Sequence, residues 1–313
     1  MKPHQHTFAR EYCFVGQEPY GGNFVEVRLL PAAVNSGYIF RTEYGDVPAT
    51  LDTASARGNT LSLNFEEASV VHVEHILATL RYGCDVDNVI IEVRRQEPTT
   101  LRPARWLGMA TKCEVIPTAP ERELYLCQLC GAGSGSRKCQ WAPRRDLTVF
   151  GSIADGKLSV LGTRALQDAR SLSIRARTLY KHIGLQSFRC HISDEVFRDE
   201  LAKARPLFRY PYLARFSAAE RILASLAFPS YGCGTGLRRD TFFYPQNSAA
   251  AWRSEERVSA EIARHSIVDR LGAFALLPGK LVGVHVEAFL SGHANDIAFL
   301  SRYRERFVSL SGD

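Results

Sequence analysis

The sequence has few of the features that mark membrane proteins or methionine-rich binding surfaces. Only two methionines and three tryptophans occur among 313 residues, so neither residue type can dominate a binding surface. No apolar run reaches ~18 residues, which excludes a membrane-spanning helix. The first residues, Met1–His6, are polar and lack the apolar centre of a signal peptide. We therefore expect a cytoplasmic protein whose eight cysteines stay reduced.

The composition is that of a folded, mildly basic protein with room for two domains. Hydrophobic residues make up 45% of the chain and charged residues 23%, which excludes extended disorder. The 39 basic residues exceed the 33 acidic ones and give a net charge of +6. That excess suits a small anionic substrate, but it is too diffuse to indicate nucleic acid binding. Three arginine pairs, Arg94–Arg95, Arg144–Arg145 and Arg238–Arg239, are interpreted as solvated faces.

The first half of the chain predicts strands, then one helix, then another strand. The segment Asn23–Leu30 alternates in polarity and runs into Pro31, a natural strand end. Apolar residues from about Val73 to Tyr82 have helical spacing, and Gly83 is placed to end that helix. The apolar run in Asn88–Val93 predicts a buried strand.

Prolines 98, 103, 117 and 120 predict a linker between two halves. We therefore divide the chain into a first α+β domain over 1–120 and a second over 121–313. In the second half, strands are predicted near residue 124, 147–150, 158–161 and 281–289, and helices over 193–204, 254–277 and 294–307. This order of elements indicates the α+β class, although identity between the halves is too low to establish a repeat.

Residues suited to catalysis lie in three short segments that are far apart in the chain. His265 and Asp269 are four residues apart, so on a helix they lie on one face about one turn apart. An imidazole and a carboxylate at that spacing can bind one Zn²⁺ with a third ligand from elsewhere, leaving a position for water. The same spacing is also that of a surface ion pair on an amphipathic helix.

The other two segments hold an adjacent Glu74 and His75, and a loop histidine, His293, after Gly292. Neighbouring residues on a helix point about 100° apart, so one can bind metal while the other reaches the attacking water as a general base. His293 can protonate a leaving amine. Alternatively, His75 is a hydrogen-bonded core histidine and Glu74 a solvated charge.

In combination, these segments have the order and context of a known family. Leu29–Arg41 is similar to the family pattern LxPAxxNxGIxFxR, Val73–Leu80 to VEHLMSAL, and Asp87–Val93 to DNxxIEV. In the second half the similar segments are Ile183–Gln186, Ala204–Arg205, Arg264–Gly272 and Gly283–Asn295. On these residues the chain resembles the UDP-3-O-acyl-N-acetylglucosamine deacetylases of lipid A synthesis, from about residue 10 to residue 300 with a poorer stretch over 100–180.

The resemblance implies two similar two-layer halves, each a sheet with helices, packed with the helices inward and the active site between them. It implies His75, His265 and Asp269 as ligands of Zn²⁺, although a set of two histidines and one aspartate also accepts Fe²⁺. It further implies Glu74 as the base that activates water, and His293 as the acid that also steadies the oxyanion. Hydrolysis of one amide to an acid and a free amine follows from these roles.

The departures from the family pattern fall at positions that handle substrate. Tyr20 stands where the family pattern has an early histidine, and Leu101–Pro103 replaces its DGS loop. Ser266 replaces the lysine that follows the metal-binding histidine. Ala273 replaces the family's aspartate that orients the acid histidine, and Pro206 replaces the threonine that helps polarise the carbonyl. The positions expected to contact substrate are Tyr20, Ser266, Arg205 and Leu207.

Three other segments are candidate sites. Cys127 and Cys130 have metal-knuckle spacing and Cys139 follows, but a structural zinc site needs a fourth ligand, so free cysteines near a hairpin are the alternative. Gly232–Gly236 lacks the spacing of a dinucleotide motif and the lysine of a P-loop, which favours a mobile loop near the active site. The apolar segment from Leu207 to Tyr231 is a candidate passage for a fatty chain or simply core.

The sequence therefore predicts a zinc-dependent amide hydrolase that removes an acetyl or acyl group from an N-acylated aminosugar, sugar nucleotide or nucleoside. Its expected partner is that small, anionic substrate, with no nucleic acid and no membrane span. Two alternatives are the authentic lipid A enzyme and a non-catalytic homologue with a binding or scaffold role. The identity of the amine and the acyl group, and the oligomeric state, are left open by the sequence.

Overall fold

The computed structural model describes residues 4–17, 24–57, 60–96, 140–143, 147–154, 157–180, 184–202, 204, 207–209, 231–233, 242–244 and 260–309. These residues form a mixed α+β structure of several sheets and few helices, as the sequence predicts. Within these ranges no helix is both long and apolar enough to cross a membrane. The proposed linker over 98–120, the domain boundary and the strand expected near residue 124 lie outside them.

Within the described residues, the first half contributes eight strands. They are β1 (Tyr12–Gln17), β2 (Phe24–Pro31), β3 (Tyr38–Thr42), β4 (Gly45–Pro48), β5 (Ala54–Arg57), β6 (Thr60–Phe65), β7 (Ala68–Val71) and β8 (Val89–Gln96). Five of them form one sheet in the order β1-β2-β8-β3-β4, and β5-β6-β7 form a small second sheet. Strand β2 ends at Pro31 as predicted.

The second half contributes the remaining strands of the described residues. They are β9 (Gln140–Pro143), β10 (Leu147–Ala154), β11 (Lys157–Ala165), β12 (Leu172–Tyr180), β13 (Gly184–His191), β14 (Leu207–Arg209), β15 (Tyr231–Cys233), β16 (Phe242–Tyr244), β17 (Lys280–Leu281), β18 (Val284–Phe289) and β19 (Phe307–Ser309). The main sheet has the order β10-β11-β18-β12-β13, with two three-stranded sheets, β14-β15-β16 and β17-β9-β19. The strand expected over 281–289 is split at Gly283, whose φ of +64° breaks the extended backbone.

Four α-helices occur in the described residues. They are α1 (Glu74–Ala78), α2 (Asp194–Val196), α3 (Glu261–Phe274) and α4 (His293–Tyr303). The first continues as a π-helical turn over Thr79–Gly83, so together they cover the helix predicted from 73 to 82. Ser193 caps α2 by accepting a hydrogen bond from the Val196 N–H, as its position before two acidic residues predicts.

The two main sheets have the same topology. In each, the third strand along the chain runs parallel to the last strand, which lies at the centre, and every other pairing is antiparallel. In each, a helix precedes the central strand: α1 before β8 and α3 before β18. The repeat that sequence identity between the halves did not establish is therefore visible in the order and direction of the strands.

The helices of the two halves pack against each other between the sheets. Leu77 and Leu80 from the first half share one buried cluster with Ile267, Leu271 and Phe274 from α3, and all five are inaccessible to solvent. The chain therefore buries its helices in a common core, and α1 crosses α3 inside it. This crossing brings residues almost two hundred positions apart into contact.

Gly272 is where α3 crosses the backbone of α1. A Cβ atom at this position would lie 2.7 Å from the Glu74 Cα atom and would collide with the Glu74 carbonyl oxygen. Because the obstacle is backbone in a packed core, side-chain rotation does not relieve it. We expect Gly272→Ala to lower the free energy of unfolding by about 1–3 kcal/mol, measured by urea denaturation.

Gly292 provides the control for this substitution. A Cβ atom there would meet nothing within 4 Å, so Gly292→Ala should leave the unfolding midpoint nearly unchanged. Equal midpoints for wild type and Gly272→Ala would show that the two helices are not in this close contact.

Candidate metal centre and active site

Three side chains from the two crossing helices converge on one point. His75 is the second residue of α1, and His265 and Asp269 lie one turn apart on α3. The Nε2 atoms of His75 and His265 are 3.2 Å apart, and each is 3.4 Å from Asp269 Oδ1. The sequence-predicted ligand atoms are thus brought together as a group that can hold a metal ion.

The spacing of these atoms fits a tetrahedral metal ion. Nitrogen and oxygen ligands about 2.05 Å from a tetrahedral zinc are about 3.3 Å from one another. The three separations of 3.2, 3.4 and 3.4 Å match that value on every edge. Three protein ligands leave the fourth corner of the tetrahedron to water or substrate, which is the arrangement of catalytic sites.

The ionisation of the three side chains also suits metal binding. His265 Nδ1 lies 3.1 Å from the Ala204 carbonyl oxygen, so Nδ1 carries the proton and Nε2 presents its lone pair. Burial lowers the pKa of His265 and keeps its imidazole neutral. Burial by itself would raise the pKa of Asp269, but His265, His75 and His293 outweigh it and hold that pKa well below its usual value.

Glu74 of α1 and His293 of α4 lie beside this group. Glu74 is 2% exposed and His293, the first residue of α4, is 4% exposed. Glu74 Oε1 is 3.5 Å from His293 Nε2 and 3.9 Å from His72 Nδ1. Burial acts to raise the pKa of Glu74, but His293, His72 and His75 outweigh it, so the pKa is lowered and the side chain is ionised.

The second oxygen of Glu74 has a vacant hydrogen-bonding position. Oε2 is buried and accepts no hydrogen bond from the described residues. A buried carboxylate oxygen without a donor is costly, and ordered water commonly satisfies such atoms. His293 Nδ1 is likewise buried without a hydrogen-bond partner in the described part of the chain. The geometry therefore leaves a carboxylate oxygen beside the metal-binding group that is able to accept a proton from water.

A buried charged network lies behind the site, and sequence reasoning assigned it no role. Arg270, directly after the metal-binding Asp269, has a side chain that is 2% exposed. Its Nε is 3.5 Å from Asp296 Oδ2, and its Nη1 donates to Ser266 Oγ at 2.7 Å and to the Ser266 carbonyl. Ser291 donates to Asp296 Oδ1 at 2.6 Å. The network therefore joins α3, which carries two of the three ligand atoms, to α4, which carries His293.

Two features of the sequence could have indicated this network. Asp296 follows His293 by three residues, which places both on one side of α4, and Arg270 is a charge within an apolar stretch of α3. Neither signal names the partner, because the pairing of Arg270 with Asp296 depends on how the two helices pack. Burial raises the pKa of Asp296 above its usual value, and Arg270 acts in the opposite direction.

The structure describes only some of the residues expected to contact substrate. Ser266 is half-buried one residue after His265, and its hydroxyl is engaged by Arg270. Leu207 begins strand β14. Tyr20, Arg205 and the cysteine cluster Cys127, Cys130 and Cys139 lie outside the residues whose side chains are described. Three described cysteines, Cys13, Cys84 and Cys190, carry free thiols.

Comparison with known proteins identifies relatives of this chain. Residues 5–102 match the family model described as UDP-3-O-acyl N-acetylglycosamine deacetylase. A UDP-3-O-acyl-N-acetylglucosamine deacetylase of Chlamydia muridarum is 26% identical over 309 residues, covering 96% of this chain and 95% of that protein. One from Anaeromyxobacter is 28% identical over 303 residues, covering 95% of this chain and 88% of that protein. A bifunctional enzyme LpxC/FabZ of Chlorobaculum tepidum is 36% identical over 335 residues, covering 98% of this chain and 66% of that protein.

Fold, site and relatives together define a hydrolase of the N-deacetylase class, built from an α+β scaffold around a group that can hold a metal. The chain is a divergent member of the UDP-3-O-acyl-N-acetylglucosamine deacetylase family. The recognition made from the Glu-His, His-x-x-x-Asp and Ser-Gly-His segments is thereby confirmed.

Proposed function

We propose that this protein is a zinc-dependent deacetylase of an N-acetylated aminosugar nucleotide, of the kind named in its relatives. The observation that carries the proposal is the triangle of donor atoms from His75, His265 and Asp269, with the ionised Glu74 beside it. These three residues would hold the metal. A bound zinc ion lowers the pKa of water and polarises a carbonyl oxygen, which are the two requirements of amide hydrolysis at neutral pH.

The protein's own residues supply the proton transfers. Glu74 takes a proton from the attacking water through the oxygen that has no other partner. Oxygen adds to the amide carbonyl carbon as that proton leaves, and the carbon–nitrogen bond then breaks. His293, 3.5 Å from Glu74, donates a proton to the departing amine. Water and amide are thus converted to acetic acid and a free amine, and the proton taken up by Glu74 passes to His293, which returns both residues to their starting states. The acid then loses its proton to the amine or to water and leaves as acetate.

Substrate recognition would rest on positions that differ from the family pattern. We propose contacts from Tyr20, Arg205, Leu207 and Ser266, as the resemblance implies. The hydroxyl of Ser266 is held by Arg270 and carries no charge, so it does not offer the ammonium that the family pattern places there. An anionic group of the substrate therefore needs a cation from elsewhere, and Arg205 is the one proposed here. The division into domains over 1–120 and 121–313 is part of the same proposal.

The test combines metal analysis with a substrate panel. The purified full chain is expected to bind about one Zn²⁺ and to release acetate from an N-acetylated sugar nucleotide, with N-acetylated aminosugars and nucleosides assayed in parallel. Chelation should abolish release and lower the melting temperature, because a ligand that binds only the folded state stabilises it, by about 4 kcal/mol at a thousandfold excess over Kd. Added Zn²⁺ should restore both, and Fe²⁺ is compared under anaerobic conditions.

Two histidine variants complete the test. His265→Ala should lose the metal, whereas His191→Ala, an exposed histidine on β13, should keep it. Wild-type protein that neither contains a metal nor takes up added Zn²⁺ would refute the ligand assignment. Stoichiometric metal without acetate release from any compound of the panel would instead favour a non-catalytic binding role.

A further inference from the structure

The outer face of the second main sheet, turned away from the core, is rich in arginine. Ile174 and Ala176 of β12 are in the buried core, so the alternate residues Arg175 and Arg177 lie on the opposite face. The strand register places Arg189 of β13 directly across from Arg175 on that face. On the other side, Arg164 of β11 and Glu287 of β18 share the face. We call the four arginines 164, 175, 177 and 189 the arginine face.

The charges of the arginine face are poorly balanced. Arg177 is 3.2 Å from Glu287, the single acidic residue of the central strands on this side. Arg164 and Arg189 are exposed and have no ion-pair partner among the described residues. Like charges directly opposite each other, such as Arg175 and Arg189, destabilise a sheet. Because this arrangement lowers the stability of the sheet, we expect the arginine face to have a function that offsets the loss.

The first main sheet shows that the fold itself does not require this imbalance. Its topology is the same, but the arginines on its outer face are paired with carboxylates. Arg28 is 2.6 Å from Glu11 and 2.8 Å from Glu92, and Arg41 is 2.9 Å from Asp46. Equivalent positions in the two halves thus present a neutral face in one and a cationic face in the other.

Exposed leucines adjoin the arginine face. Leu179 and Leu185 are paired across β12 and β13, two residues beyond Arg177, and point to the same side of the sheet as the arginines. They are 53% and 61% exposed, among the most exposed large hydrophobic residues of the described chain. One end of the face is therefore apolar while the rest is cationic.

We propose that the arginine face docks on a membrane surface containing anionic phospholipid. Guanidinium groups bind phosphate through two parallel hydrogen bonds, and a flat sheet can present several of them to a layer of headgroups at once. Leu179 and Leu185 would enter the boundary between headgroups and acyl chains. A nucleic acid site would instead be expected to offer exposed aromatic platforms for bases or an element that fits a groove. On this face Phe289 lies under the Arg177 guanidinium, 5.6 Å from it, and the exposed apolar side chains are the two leucines. The proposal is independent of the catalytic one.

Vesicle sedimentation tests the proposal with the full chain. We expect the wild-type protein to sediment with vesicles of equal parts phosphatidylglycerol and phosphatidylcholine at low salt, and to remain in solution with phosphatidylcholine alone. Raising the salt should release it, because screening shortens the reach of surface charge. Arg175→Glu/Arg189→Glu should weaken binding by at least about tenfold, since each basic residue near an anionic leaflet strengthens binding by about fivefold.

Two further variants separate the contribution of the arginine face from that of net charge and from that of the two leucines. Arg57→Glu/Arg306→Glu makes the same change of charge at exposed arginines elsewhere, and it should bind more tightly than Arg175→Glu/Arg189→Glu. Leu179→Ser/Leu185→Ser should reduce binding while leaving its salt dependence in place. Melting temperatures and acetate release show whether each variant is folded.

Three results would overturn the proposal. One is equal binding of the wild type to neutral and anionic vesicles, and another is equal weakening by the two charge-reversing variants. The third is retention on a duplex oligonucleotide with no sedimentation on anionic vesicles, which would assign the face to nucleic acid.

Discussion

Glu74→Gln is expected to lower the rate of acetate release by about 10³-fold while leaving the bound metal in place. The substitution keeps the size of the side chain and removes its ability to accept a proton. The neighbouring carboxylate, Asp269, belongs to the proposed metal-binding group, so it is not available to replace Glu74 as the base. The loss should fall on kcat, because the proton transfer occurs in the reaction step and not in binding of the substrate.

Glu92→Gln is the matched control for this prediction. Glu92 is a carboxylate of β8 that pairs with Arg28 on the outer face of the first sheet. Its substitution should leave kcat within about twofold of wild type. A Glu74→Gln protein with full activity and normal metal content would refute the role of Glu74 as the base and would require another group to accept the proton.

Asp296→Ala is expected to lower the free energy of unfolding by about 3–5 kcal/mol. The substitution leaves Arg270 as a charge inside the protein. Its remaining partners are the oxygens of Ser266 and the Asp269 carboxylate, which is 3.9 Å away and belongs to the proposed metal-binding group. Asp296 is inaccessible to solvent, so water does not take the place of the missing carboxylate. Chemical denaturation of the metal-loaded and metal-free protein gives the measurement.

A double substitution distinguishes the lost charge from the lost volume. Replacing both partners, as Arg270→Met/Asp296→Leu, removes the unpaired charge and should recover much of the stability lost in Asp296→Ala. Because the network joins α3 to α4, the recovered protein should still show reduced kcat if Arg270 and Asp296 also hold His293 in position. An Asp296→Ala protein within about 1 kcal/mol of wild type would show that the pair contributes little.

Much of the site is encoded in short segments of the sequence. The one-turn spacing of His265 and Asp269 places them on the same side of α3 whatever the rest of the fold does, because the helix repeat sets it. The apolar spacing around Glu74 and His75 predicts their helix, and the structure extends it through a π-helical turn. Local rules of this kind depend only on residues within a few positions of one another, so they are readable without tertiary information.

The same local rules do not predict which distant elements contact each other. The 3.2 Å approach of His75 to His265 depends on the crossing of α1 and α3, which requires Gly272 against the Glu74 backbone. Resemblance to the family implied this meeting, whereas spacing within either segment did not. The partner of Arg270 was similarly undetermined, since a buried guanidinium can pair with a carboxylate from any neighbouring element.

Sequence alone determined the class of elements, the local geometry of the His265 and Asp269 pair and, through family resemblance, the chemistry. Tertiary structure decided which helices cross, which buried charges pair and which sheet face is left cationic. The balanced outer face of the first sheet and the arginine face of the second have the same strand order, and they differ in which side chains the register places opposite one another. Register and helix crossing are set by packing over the whole core, and for that reason no short segment specifies them.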